Sequence, residues 1–297
     1  MDISSKKDQA ANKAESMLYG LSLDSVLDHL HHVQKKFNDY EFPKVSVIIP
    51  TYNCSQAIET TLESVLFQSY PDFEIVIVDG ESTDRTLEVI KSYRDERIKI
   101  YSVTSNQRYE MLNKGISLAD GRYLNFLFPG DFYIYRETLR SIMSLALDHQ
   151  KPHLVFCGTL LRDGRSEVKI LYRHLTLNLL RKGQQPTSLQ SCLFKSDVFS
   201  EIGKFNVSFG LRGGFDLMCR FCLHGNLRAV STGCVFTDYD LRLVTRSMII
   251  RHFWETMLTI YNYFGVLATL RWLLLQKDIW RFTKLWARSL RLAFLGR

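Results

Sequence analysis

Two aspartates follow apolar runs at positions where their carboxylates could act together. "FEIVIV" (73–78) is followed by Asp79, and the run "YLNFLF" (123–128) ends at Pro129, Gly130 and Asp131. Both runs indicate buried strands, and α/β sheets bind ligands beyond the carboxyl ends of their strands. Carboxylate oxygens suit Mg²⁺ or Mn²⁺. Either aspartate alone is equally well a loop or capping residue, but together they predict a rim where a cation neutralises a diphosphate.

The sequence gives little support to other kinds of phosphate-binding or metal-binding site. The chain has no G-x-x-x-x-G-K-[ST] loop, and no G-x-G-x-x-G follows its first strand, which argues against P-loop NTPases and dinucleotide dehydrogenases. Cys219 and Cys222 form a C-x-x-C close to His224. No second C-x-x-C stands at metal-ligand spacing, so one turn of an amphipathic helix is the favoured interpretation over zinc.

Strand and helix patterns alternate through the first half of the chain. The predicted strands are 45–49, 73–78, 98–103 and 122–128, and helical patterns cover 55–69, 83–93 and 109–119 between them. This alternation predicts right-handed βαβ units and a mostly parallel α/β sheet flanked by helices. The second half predicts helices over 136–150 and 216–225, and strands over 153–158, 167–172, 191–195 and 227–231.

Sequence pattern and charge together divide the chain into three predicted parts. We expect an N-terminal extension over 1–42, partly disordered and then helical over 23–37, a main domain over 43–240, and a helical basic tail over 241–297. The tail has ten Lys/Arg against two acids, a net charge of +8 in a chain of +7, so the rest is close to neutral. With no N-terminal signal segment and six scattered cysteines, a cytoplasmic protein with reduced thiols is expected.

All four tryptophans lie in the tail. Residues 257–275 approach membrane-spanning length, but Asn262, Gly265 and Arg271 interrupt them, which favours a surface position. Segment 279–297 alternates basic and aromatic residues as an interfacial helix does. We expect docking on an anionic membrane surface; packing on the main domain or a homodimer remain alternatives. Nucleic acid is disfavoured because no binding motif accompanies the charge.

Three stretches resemble the family 2 nucleotide-sugar glycosyltransferases, in the branch that builds bacterial surface polysaccharides. They are "VSVIIPTYN" (45–53), "ESVLFQSYPDFEIVIVDGESTDRT" (63–86) and "NKGISLADGRYLNFLFPGD" (113–131). The resemblance, over about 44–236, implies a GT-A fold and inverting transfer from a nucleotide diphosphate-sugar to a glycan or lipid-linked glycan. It implies that Pro50, Thr51 and Tyr52 line the nucleotide, that Asp79 contacts the base, and that Asp131 binds Mn²⁺ or Mg²⁺.

The chain also departs from that family at three positions. Gly130 stands where many members have the first acid of a D-D pair, and Leu189 replaces the His of a common His-Gln. Gly214 takes the usual place of the catalytic base, which leaves Asp216 as the expected base. The departures keep open a non-catalytic binding or scaffold protein as the alternative. Ala268 replaces the Gln of the Q-x-x-R-W motif, which argues against processive synthesis.

Overall fold

The structure, a computed structural model, describes residues 41–162, 169–240 and 245–275. Its strands are β1 (Val45–Thr51), β2 (Phe73–Asp79), β3 (Ile98–Ser102), β4 (Tyr123–Phe126), β5 (Leu154–Arg162), β6 (Lys169–Leu171), β7 (Cys192–Lys195) and β8 (Ala229–Asp240). Its helices are α1 (Ile58–Leu66), α2 (Thr86–Ser92), α3 (Arg108–Leu118), α4 (Thr138–Asp148), α5 (Leu177–Arg181), α6 (Val198–Glu201), α7 (Gly213–His224) and α8 (Arg246–Leu274).

The strands form one mixed sheet in the order β3-β2-β1-β4-β7-β5-β6, with β8 beside β5. The four strands β3, β2, β1 and β4 are parallel, whereas β7 runs antiparallel to both β4 and β5. Every residue of β1 and β2 is buried, as expected for central strands covered on both faces. The predicted α/β sheet with a mostly parallel core is therefore confirmed.

Alternation along β1 divides its side chains between two cores. Val47 and Ile49 join Leu62 of α1 on one face of the sheet. Ile48 joins Leu112 of α3 on the other face, together with residues of α7 and α8. Apolar burial on both faces fixes the strand register, because a shift by one residue would exchange the two sets of side chains. The carboxyl ends of β1, β2 and β4 consequently meet at one edge.

Helix α8 packs on the main domain. Its side chains Ile260 and Trp272 are 0% and 6% exposed and belong to the same core as α7. Gly265 interrupts the helix with φ +78°. The helix also carries large exposed apolar residues: Ile249, Ile250, Trp254, Leu258, Tyr261, Val266, Leu267, Leu270 and Leu274.

Some sequence predictions fall on residues outside the described part. These are the N-terminal helix over 23–37 and the interfacial helix over 279–297, including Trp280 and Trp286. The domain limits at 42 and 240 stay predictions. None of the helices within 41–162, 169–240 and 245–275 has the length and hydropathy needed to cross a membrane.

Candidate functional site

Asp79 ends β2 and is fully buried. Its carboxylate accepts hydrogen bonds from Thr51 Oγ1 at 2.9 Å, from Ser82 N at 2.8 Å and from Ser82 Oγ at 2.6 Å. Thr51 lies opposite Asp79 in the β1–β2 register. These bonds hold the loop after β2 against the end of β1, beside Pro50 and the half-exposed ring of Tyr52. The four residues predicted to bind the nucleotide therefore lie together.

Two residues beside them have left-handed backbone conformations. Asn53 has φ 45° and Glu81 has φ 60°. The Asn53 side chain accepts hydrogen bonds from the backbone N–H of Thr83 at 2.8 Å and of Asp84 at 3.3 Å. Non-glycine residues in this region cost energy and cluster at functional sites. The loop 80–84 is thus held in one conformation by side chains from the ends of β1 and β2.

Asp131 lies past the carboxyl end of β4 and is 4% exposed. Gln190 Nε2 donates a hydrogen bond to its Oδ2 at 2.7 Å. Thr61 Oγ1 on α1 holds the turn, donating to the carbonyl of Asp131 at 2.8 Å and accepting from Gly130 N at 2.9 Å. Gly130 has φ +95°. A turn with this φ favours glycine, which gives a physical reason for the residue that replaces the family's first acid.

A cavity of about 760 Å³ opens beside Asp131. Its walls come from α1, the 128–131 turn, the start of α3, the ends of β5, β6 and β8, the loop 183–190, the segment 211–214 and the first turns of α8. Thr51, Tyr52 and Asp79 do not line it. A cavity of several hundred Å³ accommodates a small ligand. Asp131 is thus the one predicted site residue that borders this cavity within the described part of the chain.

The first turn of α7 contains both Gly214 and Asp216. Gly214 lines the cavity, whereas Asp216 is 3% exposed and does not line it. Arg220 donates to Asp216 Oδ2 from Nε at 3.0 Å and from Nη2 at 2.8 Å, and Tyr263 Oη donates to Oδ1 at 2.8 Å. These contacts give Asp216 a structural role, and a catalytic role for it stays a prediction.

Glu255 of α8 fixes the segment that precedes α7. Its carboxylate accepts from three consecutive backbone amides, Gly210 N at 2.7 Å, Leu211 N at 2.9 Å and Arg212 N at 2.7 Å. Arg251 Nε adds an ion pair at 2.6 Å. Burial alone would raise the pKa of Glu255, but these bonds lower it. The C-terminal helix therefore positions one wall of the cavity.

Sequence reasoning missed the arginines of the cavity and the position of Gln190. Arg108, Arg162, Arg173 and Arg212 line the cavity from four separate segments. No periodic pattern joins them, so the sequence gives no signal for this cluster. The contact of Gln190 with Asp131 could have been predicted from the sequence, because Gln190 occupies the second position of the family's His-Gln.

Comparison with known proteins agrees with this fold. The family model "Glycosyl transferase family 2" matches residues 46–205. A PGL/p-HBAD biosynthesis glycosyltransferase of Mycobacterium tuberculosis is 27% identical over 207 residues, which are 66% of this chain and 73% of that protein.

Two solved structures share the architecture. S. aureus TarS 1-349 in complex with UDP-GlcNAc has a TM-score of 0.60 at 20% identity, covering 74% of this chain and 67% of that one. Mannosyltransferase PcManGT from Pyrobaculum calidifontis, in complex with GDP-Man and Mn2+, has a TM-score of 0.57 at 18% identity, covering 89% and 81%. At these identities the likeness concerns the fold, which is the GT-A-like sheet that the sequence predicts.

Proposed function

The chain belongs to glycosyl transferase family 2, and we propose that this transferase moves a sugar, with inversion, from a nucleotide diphosphate-sugar to a glycan or lipid-linked glycan of the cell surface. The observation that carries the proposal is the buried carboxylate of Asp131. It lies at the carboxyl edge of the sheet and borders a cavity large enough for the reacting sugars.

The nucleotide site would lie at the ends of β1 and β2. In this proposal Pro50, Thr51 and Tyr52 line the nucleotide and Asp79 contacts the base. The hydrogen bonds from Thr51 and Ser82 support a fixed orientation of the Asp79 carboxylate. Holding the site rigid before the ligand arrives lowers the entropy cost of binding. The related fold of TarS 1-349 is known in complex with UDP-GlcNAc, which supports a nucleotide-sugar donor.

Asp131 fits a divalent cation that the donor helps to hold. Among the described residues no group of three or more His, Cys, Asp or Glu side chains is arranged for a metal. Mg²⁺ is commonly bound by one or two carboxylates together with substrate phosphates and waters, so a single aspartate suffices. We propose Mn²⁺ or Mg²⁺ at Asp131, with Gln190 orienting the carboxylate through Oδ2. The ion would stabilise negative charge on the departing nucleotide diphosphate.

Asp216 is the proposed acceptor of the proton from the attacking hydroxyl. It lies in the same helical turn as Gly214, which borders the cavity. To act, Asp216 must release the hydrogen bond from Tyr263 to its Oδ1. Asp216→Asn should then lower kcat by about 10²–10⁴-fold while nucleotide affinity is unchanged, and Tyr263→Phe should retain turnover. A folded Asp216→Asn enzyme with normal turnover would leave Asp216 only its structural role.

The tail would hold the enzyme on the inner face of the cell membrane, as a peripheral protein of the cytoplasm. The exposed apolar residues of α8 and the net charge of +8 over 241–297 support an anionic membrane as the partner. A position at the membrane suits an acceptor that is linked to lipid.

Calorimetric titration with UDP, GDP and dTDP, each with Mn²⁺, tests the proposed function. We expect one nucleotide to bind, and slow hydrolysis of the corresponding sugar donor without acceptor. Asp131→Ala should abolish the hydrolysis, because it removes the carboxylate proposed for the cation. If none of the three nucleotides binds, the proposed donor site is wrong.

A further inference from the structure

The cavity beside Asp131 has a positive lining. Arg108, Arg162, Arg173 and Arg212 line it, and Asp131 is the only acidic residue among its described lining residues. Arg162 forms an ion pair with Asp238 at 2.7 Å. Within the described ranges, the other three arginines have no ion pair with a carboxylate at 4.0 Å or less. The lining therefore has more positive charge than its own acids neutralise.

Arg212 is a buried cation with an unused donor. It is 6% exposed, and its guanidinium lies 4.1 Å from the ring centroid of Phe215. Nη1 donates to Gln185 Oε1, and Nη2 donates to the carbonyl of Gly183 at 3.0 Å. Its Nε has no hydrogen-bond partner among the described residues. Nε itself is closed to solvent, but two of the five guanidinium N–H groups are the ones bonded to described residues, so Arg212, which lines the cavity, retains donors for a ligand oxygen.

Arg173 lies next to Arg212 because both bind Gln185. Arg173 Nη1 donates to the backbone carbonyl of Gln185 at 3.1 Å, and Arg212 binds the side-chain oxygen of the same residue. His252 adds no charge at neutral pH, because partial burial and the charge of Arg212 lower its pKa to about 4. Two guanidinium groups thus converge on one end of the cavity, which we term the Gln185 end (Arg173, Gln185 and Arg212).

We propose that the Gln185 end binds an oxyanion carried by the acceptor, a phosphate or a carboxylate close to the hydroxyl that is glycosylated. This inference rests on the proposed function, which places the donor diphosphate at Asp131. Guanidinium groups bind phosphate and carboxylate oxygens through paired hydrogen bonds. The anion has two sources, the phosphate of a lipid-linked acceptor or the carboxylate of an acidic sugar.

Titration of inorganic phosphate at low ionic strength, onto protein saturated with Mn²⁺ and its nucleotide, tests the site. We expect phosphate to bind the saturated protein, because the proposed position of the donor diphosphate at Asp131 leaves the Gln185 end open. Arg173→Gln should weaken this binding about tenfold, the usual effect of losing one charge-assisted hydrogen bond. Arg173 is exposed, so its replacement should not disturb folding.

Arg122→Gln is the matched control. Arg122 is also exposed, and it lies just before β4, at the opposite edge of the sheet. It should leave phosphate affinity unchanged. The proposal is wrong if phosphate does not bind nucleotide-saturated protein, or if both variants weaken binding equally, since the effect is then general electrostatics.

A second arm titrates D-glucuronate in place of phosphate. Tighter binding of phosphate indicates a lipid-linked phosphate as the source, and tighter binding of glucuronate indicates an acidic sugar. Nucleotide titration separates the two hypotheses. If no nucleotide binds but phosphate binding depends on Arg173, the anion site is supported and the proposed donor site is wrong.

Discussion

At the scale of single residues, the two glycines that replace acids differ physically. Gly130 has φ +95°, so any side chain there is strained even though the nearest atom to an added Cβ is 3.7 Å away. Gly214 has a helical position, and an added Cβ would meet Leu189 at 3.6 Å, an ordinary contact. The backbone therefore favours glycine at position 130 but accepts a side chain at position 214.

Gly214→Asp should consequently increase activity. The new carboxylate would start from a position that lines the cavity, where it can accept a proton without the release that Asp216 requires. We expect donor hydrolysis to rise at least tenfold, within the roughly 10²–10⁴-fold that a general base contributes. The measurement is the rate of nucleotide release from the donor that binds.

Gly213→Asp is the control for that variant. A Cβ at Gly213 would lie 2.7 Å from Cζ of Tyr109, so the aspartate is overpacked. This variant should lose about 1–3 kcal/mol of stability and gain no activity. If Gly214→Asp folds and shows no increase in rate, base chemistry does not limit turnover.

At the scale of elements, α8 contacts α7 through Tyr263 and contacts the segment before α7 through Glu255. Replacing Glu255 with Gln removes the negative charge that three backbone amides share. We expect a loss of about 2–4 kcal/mol in unfolding free energy, because hydrogen bonds to charged groups contribute about 1.5–3 kcal/mol each and are not additive. Chemical denaturation measures this change.

Arg251→Gln is the matched variant on the same helix. Arg251 is 57% exposed, and removing its ion pair with Glu255 leaves the three hydrogen bonds from the backbone amides intact. Glu255 is buried, but solvent around the Arg251 side chain screens the pair, so Arg251→Gln should cost about 1 kcal/mol or less. Equal losses of unfolding free energy in the two variants would show that the hydrogen bonds from the backbone amides to Glu255 contribute nothing.

Glu74 joins β1, β2 and β3 near their starts. Burial alone would raise its pKa, but hydrogen bonds from Lys99, Ser46 and the Asp120 amide, with the charge of Lys44, lower the pKa from 4.5 to about 2. A carboxylate whose pKa is lower in the folded state stabilises the fold above its unfolded pKa. That contribution is complete above pH 4.5 and is lost as the pH falls towards 2.

Glu74→Gln should therefore destabilise the protein at pH 7 and flatten its stability between pH 4.5 and 2. The pKa difference sets an upper limit of about 3 kcal/mol, and the partial exposure of Lys44 and Lys99 reduces the expected loss to about 1–2 kcal/mol. Thermal unfolding across this range measures it. Glu88→Gln, which removes an exposed partner of Arg85, should change the profile little, because solvent screens such an ion pair.

At the scale of the whole molecule, local patterns predict the parallel half of the sheet better than the rest. β1, β2 and β4 are buried runs between amphipathic helices, and the family motifs place Asp79 and Asp131 at their ends. The sequence does not predict that β7 inserts antiparallel between β4 and β5, or that β8 extends over 12 residues beside β5. These pairings join distant segments, whose contacts no local period encodes. The same reason explains why the cluster of arginines at the cavity could not be predicted.

The last prediction concerns the exposed apolar side of α8 and the tail beyond it. Ile250, Trp254 and Leu258 are spaced by four residues, so they lie on one side of the helix, and Leu267 is 83% exposed after the interruption at Gly265. On an anionic bilayer, each nearby Lys or Arg contributes about 1 kcal/mol, screened over roughly 8–10 Å. Apolar burial is not screened. Binding to anionic vesicles should therefore weaken, without vanishing, as salt rises.

Sedimentation with vesicles of phosphatidylglycerol and phosphatidylcholine measures this binding. The double variant Leu267→Ser/Leu270→Ser should reduce the vesicle binding that remains at high salt. Ile170 of β6 is 58% exposed, and the control variant Ile170→Ser should leave that binding unchanged. Deleting 279–297 should weaken vesicle binding and preserve nucleotide binding, because every proposed donor residue precedes that segment. If full-length protein ignores vesicles at low salt, and light scattering shows a dimer that the double variant dissociates, this side of α8 binds a second copy of the chain. The membrane proposal would then be wrong, while the donor site, built from β1, β2 and the 128–131 turn, would be unaffected.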